Sequence, residues 1–477
     1  MNEEKKTLIL TPDKLAAFEG RKKHADVLND LLKEIQPINI REYLELPDDV
    51  EMRQKFIVVA VVKHLLEYSS QRKWNLSRVW DYTYVYNGAF WHQLDKEDMK
   101  CFLGKAAISM GCPEYEARHF EFKDRLLKQF LTDAHLPSPD ETNKILINLQ
   151  NGTMEFTPEG WQIRDFSPGD FLTYQLPFSY DPEAACPMFD KYLSEVVPDE
   201  TSRMVLQEFT GYIFTRMNLE KMLMLTGSGS NGKSVFFNII SALVGQENIL
   251  TYSMGLFAHE YNRAKLTNVL LNYSSEKGTE LNPDTFKALV SGEPLQAREP
   301  YGKPFTLRNK VRFINNANEL PRETEHTDAY FRRFLIVPFD VVITEDQKDI
   351  DLADKIIASE LSGVFNWVLV GLNRIIKQKK FSICEKSSKA LADFRRQSDS
   401  VSLFIDEFSL KTSETDKEPL ADLYVKYKSF CQDDSYKPVG KNKFSVRLEN
   451  RGFVKTRLSS GAVGFFMENT GGIFGIS

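Results

Sequence analysis

The stretch LTGSGSNGKSVFF, residues 225–237, joins the apolar run KMLMLTG to a run typical of an apolar helix, SVFFNIISALVG. It contains the pattern G-x-x-x-x-G-K-[ST], in which glycines let the backbone curl so that successive N–H groups face an anion. The start of the following helix adds partial positive charge at the same place. Because the pattern lies between a predicted strand and a predicted helix, as this mechanism requires, it indicates a loop that binds phosphate groups rather than a chance glycine-rich turn.

The predicted phosphate-binding residues are Gly227, Ser228, Gly229, Ser230, Asn231, Gly232, Lys233, Ser234 and Val235. The Lys233 ammonium group can reach the β and γ phosphates of a nucleoside triphosphate, and the Ser234 hydroxyl can join the ligands of Mg²⁺. We therefore expect a nucleoside triphosphate and Mg²⁺ at this loop.

Length, charge and cysteine content exclude several classes of protein. The chain has 477 residues, enough for about two to four domains, and 42% hydrophobic residues, enough for real cores. A net charge of −6 argues against a uniformly basic nucleic-acid-binding protein but leaves room for a local basic channel. Five widely spaced cysteines without a CxxC predict a reducing compartment, with neither a disulfide framework nor a zinc site. Without a run of about 18 apolar residues, we expect a soluble, cytoplasmic protein with no membrane partner.

Five regions differ in their pattern of apolar residues. The stretch VWDYTYVYNGAFWHQL predicts a hairpin with a two-residue turn at Asn87-Gly88, whereas strands alternate with helices after residue 220, as in a parallel α/β sheet. The predicted regions are a helical segment at 1–75, an α+β domain at 76–200, an α/β domain at 201–345, a helical region at 346–400 and a mixed tail, helices first and then strands, at 401–477.

Downstream strand ends carry side chains suited to nucleotide hydrolysis. Glu276 ends the strand in LTNVLLNYSSEKG and can position Mg²⁺ or the attacking water, and Asn318 ends the strand in KVRFINNANELPR and can polarise that water. Arg332 and Arg333 precede the run FLIVPF and could neutralise charge across a subunit boundary. The alternatives are a solvated glutamate and surface ion pairs.

These motifs together resemble those of superfamily 3 helicases of the phage, plasmid and poxvirus primase–helicase family, from about residue 75 to the end. The stretches that carry the resemblance are NLQNGTMEF, FSYDPEAACPMFDKYL, LQEFTGYIF, TGSGSNGKSVF, LVSGEPLQAREPYGKPF, NANELP and FRRFLIVPF. The resemblance implies a multidomain α/β protein with a AAA+-type P-loop ATPase core, an α+β amino-terminal region and a carboxyl-terminal winged helix. It further implies a homo-hexameric ring that uses ATP to move along single-stranded DNA when a phage, plasmid or mobile element replicates in the cytoplasm of a bacterial host.

By the same resemblance, Lys233 and Ser234 are the Walker A pair, Glu276 the Walker B acid and a ligand of Mg²⁺, Asn318 the sensor 1 residue and Arg333 the arginine finger. One departure concerns Ser275, since many Walker B motifs carry two adjacent acids where this chain has Ser275-Glu276. A single Glu276 could then serve both metal and water, or Glu280 could help.

The run LQAREPYGKPFTLRNK predicts a hairpin, which in this family projects into the pore of the ring and grips DNA. Arg298 and Lys303 could hold phosphates, and Tyr301 could pack on a sugar or base. An ordinary surface hairpin is the alternative. Lys287 matches a family lysine and is equally well interpreted as a DNA contact or as a structural ion pair.

The tail resembles a winged-helix domain, with GKNKFSVRLENRG as its recognition helix and FVKTRLSSGAVGFF as its wing. Lys441, Lys443 and Arg447 could face DNA phosphates. The alternative is a protein-docking cap that does not contact DNA.

Three function classes stay open. The favoured one is a ring-forming DNA helicase that acts on single-stranded and forked DNA, together with a separate primase or replication initiator. The second is a primase–helicase. Only about 75 residues precede the first predicted hairpin, which leaves little room for a domain that synthesises primers. The third is an origin-binding or loading factor that uses ATP only as a switch.

Overall fold

The computed structural model describes residues 23–72, 74–79, 82–134, 144–157, 160–274, 282–300, 302–308, 310–318, 327–434 and 436–469. Ser275, Glu276, Glu280 and Tyr301 lie outside these ranges. The described residues form a mixed α/β architecture with several apolar cores, one of them built on a parallel sheet.

The amino-terminal unit packs helices against a three-stranded antiparallel sheet. Its helices are α1 (His24–Glu34), α2 (Ile40–Tyr43), α3 (Gln54–Ser70), α4 (Lys96–Ser109), α5 (Glu114–Arg118) and α6 (Phe120–Asp133), and its strands are β1 (Asn75–Val79), β2 (Tyr82–Tyr86) and β3 (Trp91–Leu94). In α6, Phe122, Leu126 and Phe130 are buried at intervals of four residues, which places them on one face toward the core.

The turn between β2 and β3 is longer than the sequence predicts. Tyr86 pairs with Trp91, so the connection spans residues 87–90 instead of two residues. The Asn87 side chain accepts hydrogen bonds from the backbone N–H groups of Ala89 and Phe90, both at 3.0 Å. Because this Asx-type bonding satisfies the turn locally, the Asn-Gly pair forms a wider loop than a two-residue turn.

A second antiparallel sheet and two helices lead into the central core. They are β4 (Ile145–Leu149), β5 (Gly152–Thr157), β6 (Gly160–Arg164), α7 (Pro187–Val196) and α8 (Glu200–Tyr212). Ile147, Leu149 and Met154 of this sheet are fully buried in the same apolar cluster as α7, α8 and the first strand of the parallel sheet. The predicted boundary near residue 200 therefore runs through a shared core.

The central sheet is parallel throughout, as the alternation of strands and helices predicts. Its strands are β7 (Met222–Thr226), β8 (Ile249–Leu250), β9 (Leu271–Ser274), β12 (Arg312–Ala317) and β13 (Phe334–Pro338), in the order β13-β7-β12-β9-β8. Accompanying elements are α9 (Lys233–Val244), α10 (Glu260–Ala264), α11 (Pro283–Ser291), the hairpin β10 (Leu295–Arg298) and β11 (Pro304–Leu307), and α12 (Asp328–Phe331). The strands MLMLT and FLIVP are nearly continuous apolar runs because both faces of the sheet are covered.

Two long helices follow the sheet, α13 (Leu352–Gln378) and α14 (Glu385–Ser398). Among the described residues, α13 alone is long and apolar enough to cross a membrane, and 50% of its apolar window is buried inside the protein. A side chain at Gly371 would overlap the backbone of Gln207, and one at Gly363 would overlap the backbone of Ala185. These close approaches show that α13 packs as a core helix along α8 and the segment that leads into α7.

The tail contains three helices and a three-stranded sheet: α15 (Ser400–Glu407), β14 (Leu410–Pro419), α16 (Leu420–Asp433), α17 (Lys441–Asn450), β15 (Val454–Arg457) and β16 (Val463–Asn469). The predicted order of helices first and strands afterwards is wrong at β14, which precedes α16 and pairs with β16. The β14 sequence LKTSETDKEP is polar and lacks alternation, so only pairing with a distant strand reveals it.

Glu208 in α8 joins three segments through one fully buried carboxylate. Its Oε1 accepts hydrogen bonds from Arg374 Nη1 at 3.3 Å, Gln378 Nε2 at 3.0 Å and Ser382 Oγ at 2.6 Å. Its Oε2 accepts from the backbone N–H of Ser382 at 2.8 Å. The carboxylate therefore fixes the carboxyl end of α13 against α8.

We expect Glu208→Ala to lower the free energy of unfolding by about 3 kcal/mol, because it leaves buried donors and a cation without their shared acceptor. Glu195→Ala is the matched control: its carboxylate is 64% exposed and 4.0 Å from Lys191, so its loss should cost less than about 0.5 kcal/mol. Thermal unfolding followed by circular dichroism compares the two variants. Equal midpoints would contradict the structural role of Glu208.

Candidate functional site

The glycine-rich loop lies where three parallel strands end. Strand β7 ends at Thr226, and both Ala317 of β12 and Pro338 of β13 are in register with that residue. Helix α9 begins at Lys233, so residues 227–232 form the connection at the carboxyl edge of the sheet. In open parallel sheets this edge is where ligands bind.

Two glycines allow the loop to close on itself. Gly227 has φ +155°, and a side chain there would overlap the Asn231 side chain and the Phe339 carbonyl oxygen. Gly232 has φ +83°, and a β-carbon there would come within 2.9 Å of Val196 Cγ1. Only glycine fits these two positions without strain.

The Lys233 ammonium group points back into the loop. The residue is 6% exposed, and its Nζ donates hydrogen bonds to the Gly227 carbonyl at 2.6 Å and to Asn231 Oδ1 at 3.1 Å. Burial lowers the pKa of this amine below its ordinary value. The loop thus encloses a cation whose described partners are uncharged oxygen atoms.

Segments distant in sequence hold the loop in this shape. The Asn231 Nδ2 group donates to the Phe339 carbonyl at 3.1 Å, and the backbone N–H of Ile343 donates to the Ser230 carbonyl at 2.7 Å. From the other side, the Tyr192 hydroxyl of α7 donates to the Gly232 carbonyl at 2.8 Å. Sequence reasoning missed these contacts because no local pattern connects Tyr192, Phe339 or Ile343 with the loop.

Of the predicted catalytic side chains, Asn318 lies near the loop. Asn318 directly follows Ala317, which pairs in the sheet with Thr226, the residue before Gly227. The Asn318 side chain is exposed. In the neighbouring strand β9, the Ser274 hydroxyl donates to Asn315 Oδ1 at 2.9 Å. Glu276 lies just beyond β9, outside the described residues, so its role stays a prediction.

The two arginines lie at the opposite edge of the sheet. They precede β13, whose first residue, Phe334, is in register with Met222 at the start of β7. Strand β7 has five residues, and four steps of about 3.3 Å separate its ends by roughly 13 Å. Neither Arg332 nor Arg333 therefore approaches the loop of its own chain.

The environments of the two arginines differ. Arg333 is 5% exposed and donates to Ser291 Oγ from Nε at 3.1 Å and from Nη2 at 2.7 Å. Burial lowers the pKa of its guanidinium group, and the Glu220 carboxylate, 3.4 Å away, opposes that shift. The Arg332 side chain is 56% exposed and lies 2.5 Å from the same carboxylate. Arg333 is therefore held by contacts within its own chain, and Arg332 is the more accessible cation.

The predicted hairpin is present as β10 and β11, in which Leu295 pairs with Leu307 and Arg298 with Pro304. Its contact with DNA stays a prediction. Arg298 Nε donates to the Gly302 carbonyl at 3.0 Å, which braces the turn. Lys303 is exposed at that turn. Lys287 lies 2.7 Å from Asp284 on the same helix, an intrahelical ion pair.

In the tail, Lys441 and Lys443 are exposed in the first turn of α17. The Arg447 side chain is 18% exposed and pairs with Asp399 at 3.4 Å. Asp399 also accepts from the backbone N–H of Val401 at the start of α15. Arg447 therefore braces α17 against α15, and the two lysines remain the accessible cations of this helix.

Three family models match parts of the chain. A model described as D5 N-terminal-like matches residues 62–198, and one described as poxvirus D5 protein-like matches residues 396–468. A family described as of unknown function matches residues 225–333, which include the loop.

Two viral proteins named as candidate helicases are similar in sequence. One, from Invertebrate iridescent virus 3, is 24% identical over 335 residues, 61% of this chain and 35% of the relative. The other, from Acanthamoeba polyphaga mimivirus, is 23% identical over 239 residues, 46% of this chain and 24% of the relative. The matched regions thus span 35% and 24% of the length of these curated relatives.

Among solved structures, the A-form apo structure of the NrS-1 C-terminal region is similar over 85% of this chain and 98% of that chain, with a TM-score of 0.46 and 11% identity. A second apo structure of this region is similar over 87% of this chain and 99% of that chain, with a TM-score of 0.48 and 12% identity.

The D5-like models and the helicase-named viral relatives support a helicase- or NTPase-type enzyme of replication at the level of the family. Together, over the residues they match, they support a similarity of this chain to the phage- and poxvirus-type primase–helicase family.

Proposed function

We propose that this chain is the ATP-hydrolysing motor of a DNA helicase that moves along single-stranded DNA during replication of a phage, plasmid or other mobile element. The observation that carries the proposal is the buried Lys233 ammonium group, enclosed by a glycine-rich loop at the carboxyl edge of a parallel sheet. The bacterial cytoplasm expected from the sequence rests on the resemblance alone.

The described residues of the loop fit the phosphates of ATP. Among the described residues, the hydrogen-bond acceptors of Lys233 are neutral oxygens, Gly227 O and Asn231 Oδ1. Phosphate oxygens are stronger, charge-assisted acceptors for the same ammonium group. The first turn of α9 offers backbone N–H groups and the positive end of the helix dipole. Ser234 is exposed in this turn, where its hydroxyl could bind Mg²⁺. Glu276 is proposed as the second metal-associated residue.

Hydrolysis requires a group that orients water and cations that neutralise the developing charge. Asn318, beyond the end of β12 and beside the start of the loop, is proposed for the first role with Glu276. For the second role we propose that the chain supplies an arginine to a neighbouring subunit, because Arg332 and Arg333 lie at the edge away from their own loop. Exposure favours Arg332 for that contact and assigns Arg333 to holding its position. This requirement fits the proposed homo-hexameric ring.

DNA contacts are proposed for the β10–β11 hairpin and for the tail. Lys303 at the hairpin turn is proposed to contact the strand in the pore, and Arg298 to keep the turn in shape. Tyr301, which lies outside the described residues, is proposed as a further DNA contact from the sequence alone. The helices α16 and α17 followed by the β15–β16 hairpin match the element order of a winged helix, with Lys441 and Lys443 free of the Asp399 brace. Lys287 is better explained by its ion pair with Asp284.

The second possibility is a primase–helicase, in which this motor acts together with an activity that synthesises primers. A separate primase or replication initiator is proposed as a further partner. An ATP-switched loading factor is the third possibility. The rate of ATP hydrolysis with and without single-stranded DNA distinguishes a motor, which DNA stimulates, from a switch.

Lys233→Ala should abolish ATP hydrolysis and fork unwinding, because it removes the one charge that the loop directs at phosphate. Lys191→Ala is the control: this side chain is 78% exposed on α7 and its loss removes the same charge. Steady-state phosphate release measures both variants. Hydrolysis by Lys233→Ala near the wild-type rate would refute the assignment of the loop.

The two arginine variants should behave differently. We expect Arg333→Ala to lower the unfolding free energy by about 2 kcal/mol, because it removes the guanidinium group that donates to the buried Ser291 hydroxyl and leaves Glu220 with the exposed Arg332 as its ion-pair partner. Arg332→Ala should fold normally, bind ATP and lose about 10³-fold or more in hydrolysis rate if it acts in trans. Mixing it with excess Lys233→Ala should restore part of the activity, since a mixed interface can pair an intact loop with an intact arginine. No recovery at any ratio would contradict a contribution in trans.

Lys303→Ala should retain basal ATP hydrolysis but lose DNA-stimulated hydrolysis and fork unwinding. Because the contact is electrostatic, the log–log salt dependence of single-stranded DNA affinity should flatten by about one unit per lost phosphate contact. Fluorescence anisotropy against salt measures this slope, and Lys105→Ala, an exposed lysine of α4, is the control. Wild-type unwinding by Lys303→Ala would remove the hairpin from the proposed DNA path.

A further inference from the structure

The phosphate loop receives one hydrogen bond from a helix that precedes the parallel sheet. Tyr192 of α7 is 3% exposed, and its hydroxyl donates to the Gly232 carbonyl at 2.8 Å. Burial raises the pKa of this phenol well above its ordinary value, so the hydroxyl stays a donor at any working pH. The contact connects the segment matched by the D5 N-terminal-like model to the segment that contains the loop.

The acceptor of this bond controls the direction of a donor in the loop. Because a peptide unit is planar and trans, the Gly232 carbonyl and the Lys233 N–H point in opposite directions. The same carbonyl also accepts the first hydrogen bond of α9, from Phe236 N at 3.1 Å, and a carbonyl oxygen has two lone pairs. Tyr192 therefore adds a second restraint that aims the Lys233 N–H toward the interior of the loop, where phosphate would lie.

Packing makes this restraint specific. A β-carbon at Gly232 would lie 3.1 Å from Tyr192 Cε2 and 2.9 Å from Val196 Cγ1, so the loop rests directly on α7. Phe189, one turn earlier on the helix, packs edge-on against Trp367 of α13 with ring centroids 5.1 Å apart. Helix α7 is thus held between the loop and α13.

A buried carboxylate of α13 fixes the start of α7. Glu360 is 5% exposed, and its two oxygens accept hydrogen bonds from the backbone N–H groups of Met188 and Phe189, both at 3.0 Å. These groups lack partners within their own helix, and the N-cap residue Cys186 makes no side-chain cap. Glu360 replaces that cap from a neighbouring helix, which ties the position of α7 to that of α13.

We propose that Tyr192 is a positioning residue for the phosphate loop, and that Glu360 of α13 acts on the loop through α7 and Tyr192. This inference rests on the proposed ATP site. The phosphates of bound ATP hold the loop in the same shape, so the bond from Tyr192 matters most before ATP binds. Its loss should therefore weaken ATP binding more than it slows the chemical step.

We expect Tyr192→Phe to raise KM for ATP about two- to tenfold, the factor that corresponds to one hydrogen bond, with kcat within about twofold of wild type. Tyr174→Phe is the matched control, because this tyrosine is also buried and its hydroxyl donates at 3.0 Å to a carbonyl outside the loop, that of Leu146 in β4. Steady-state hydrolysis, titration calorimetry with a non-hydrolysable ATP analogue and thermal unfolding are measured for both variants.

Glu360→Gln keeps the shape of the side chain and removes one of its two carboxylate acceptors. It should raise KM in the same direction, and the double variant should have the KM of Tyr192→Phe alone, because both residues act along one path. Effects on KM that multiply in the double variant would overturn the link through α7.

If KM for ATP is unchanged in Tyr192→Phe, even with a lower unfolding midpoint, the contact is purely structural and the positioning role is overturned. Hydrolysis by the wild-type protein would still support the proposed function in that case. Wild-type protein that neither binds nor hydrolyses ATP would instead refute the proposed function and, with it, the role of Tyr192.

Discussion

Parallel pairing of β7 with both β12 and β13 is the constraint on which the rest of the core depends. It brings the ends of three strands to one edge, so the glycine-rich loop, Asn318 and the Phe339 segment meet there. It also sends the starts of the same strands to the other edge, where Arg332 and Arg333 lie. The separation of these two sets of residues follows from strand direction alone, and it is the reason that the proposed function places an arginine from a neighbouring subunit at the loop.

The shape of the glycine-rich loop depends on contacts with other segments, because its own glycines allow many backbone conformations. Glycines at positions 227 and 232 permit its curvature, and the contacts from Tyr192, Phe339 and Ile343 select one shape. A loop that is ordered before ligand arrives loses less conformational entropy on binding. A shift of any segment that contacts the loop would change the shape of the loop directly. One of these segments is α7, which Glu360 joins to α13.

Buried charged side chains hold the layers of this protein together. Glu208 and Glu360 join α13 to α8 and α7, and Arg312 donates to the Thr215 carbonyl at 3.0 Å while its guanidinium carbon lies 3.8 Å from the Tyr212 ring centroid. Burial costs such groups much of their hydration, and several well-placed partners offset that cost. Charged residues at the sheet edge opposite the loop, and those in α17, therefore fall into two groups. Arg332 and Lys443 are exposed, whereas Arg333 and Arg447 are largely buried and hold neighbouring segments in place.

The sequence by itself determined the parallel α/β core, the strand–loop–helix setting of residues 225–237 and the β10–β11 hairpin, because local apolar periodicity and glycine spacing encode these features. The sequence predicted a two-residue turn at Asn87, but an Asx bond there stabilises a longer connection. It also missed β14, because this polar segment becomes a strand only through pairing with β16. Tertiary structure alone decided which side chains are free to act. Arg333 and Arg447 match the expected positions in sequence, but their partners Ser291 and Asp399 come from distant segments, as does Tyr192 at the loop. Contacts between residues far apart in the chain leave no local pattern, so burial and hydrogen bonding at the site can be known only from the folded molecule.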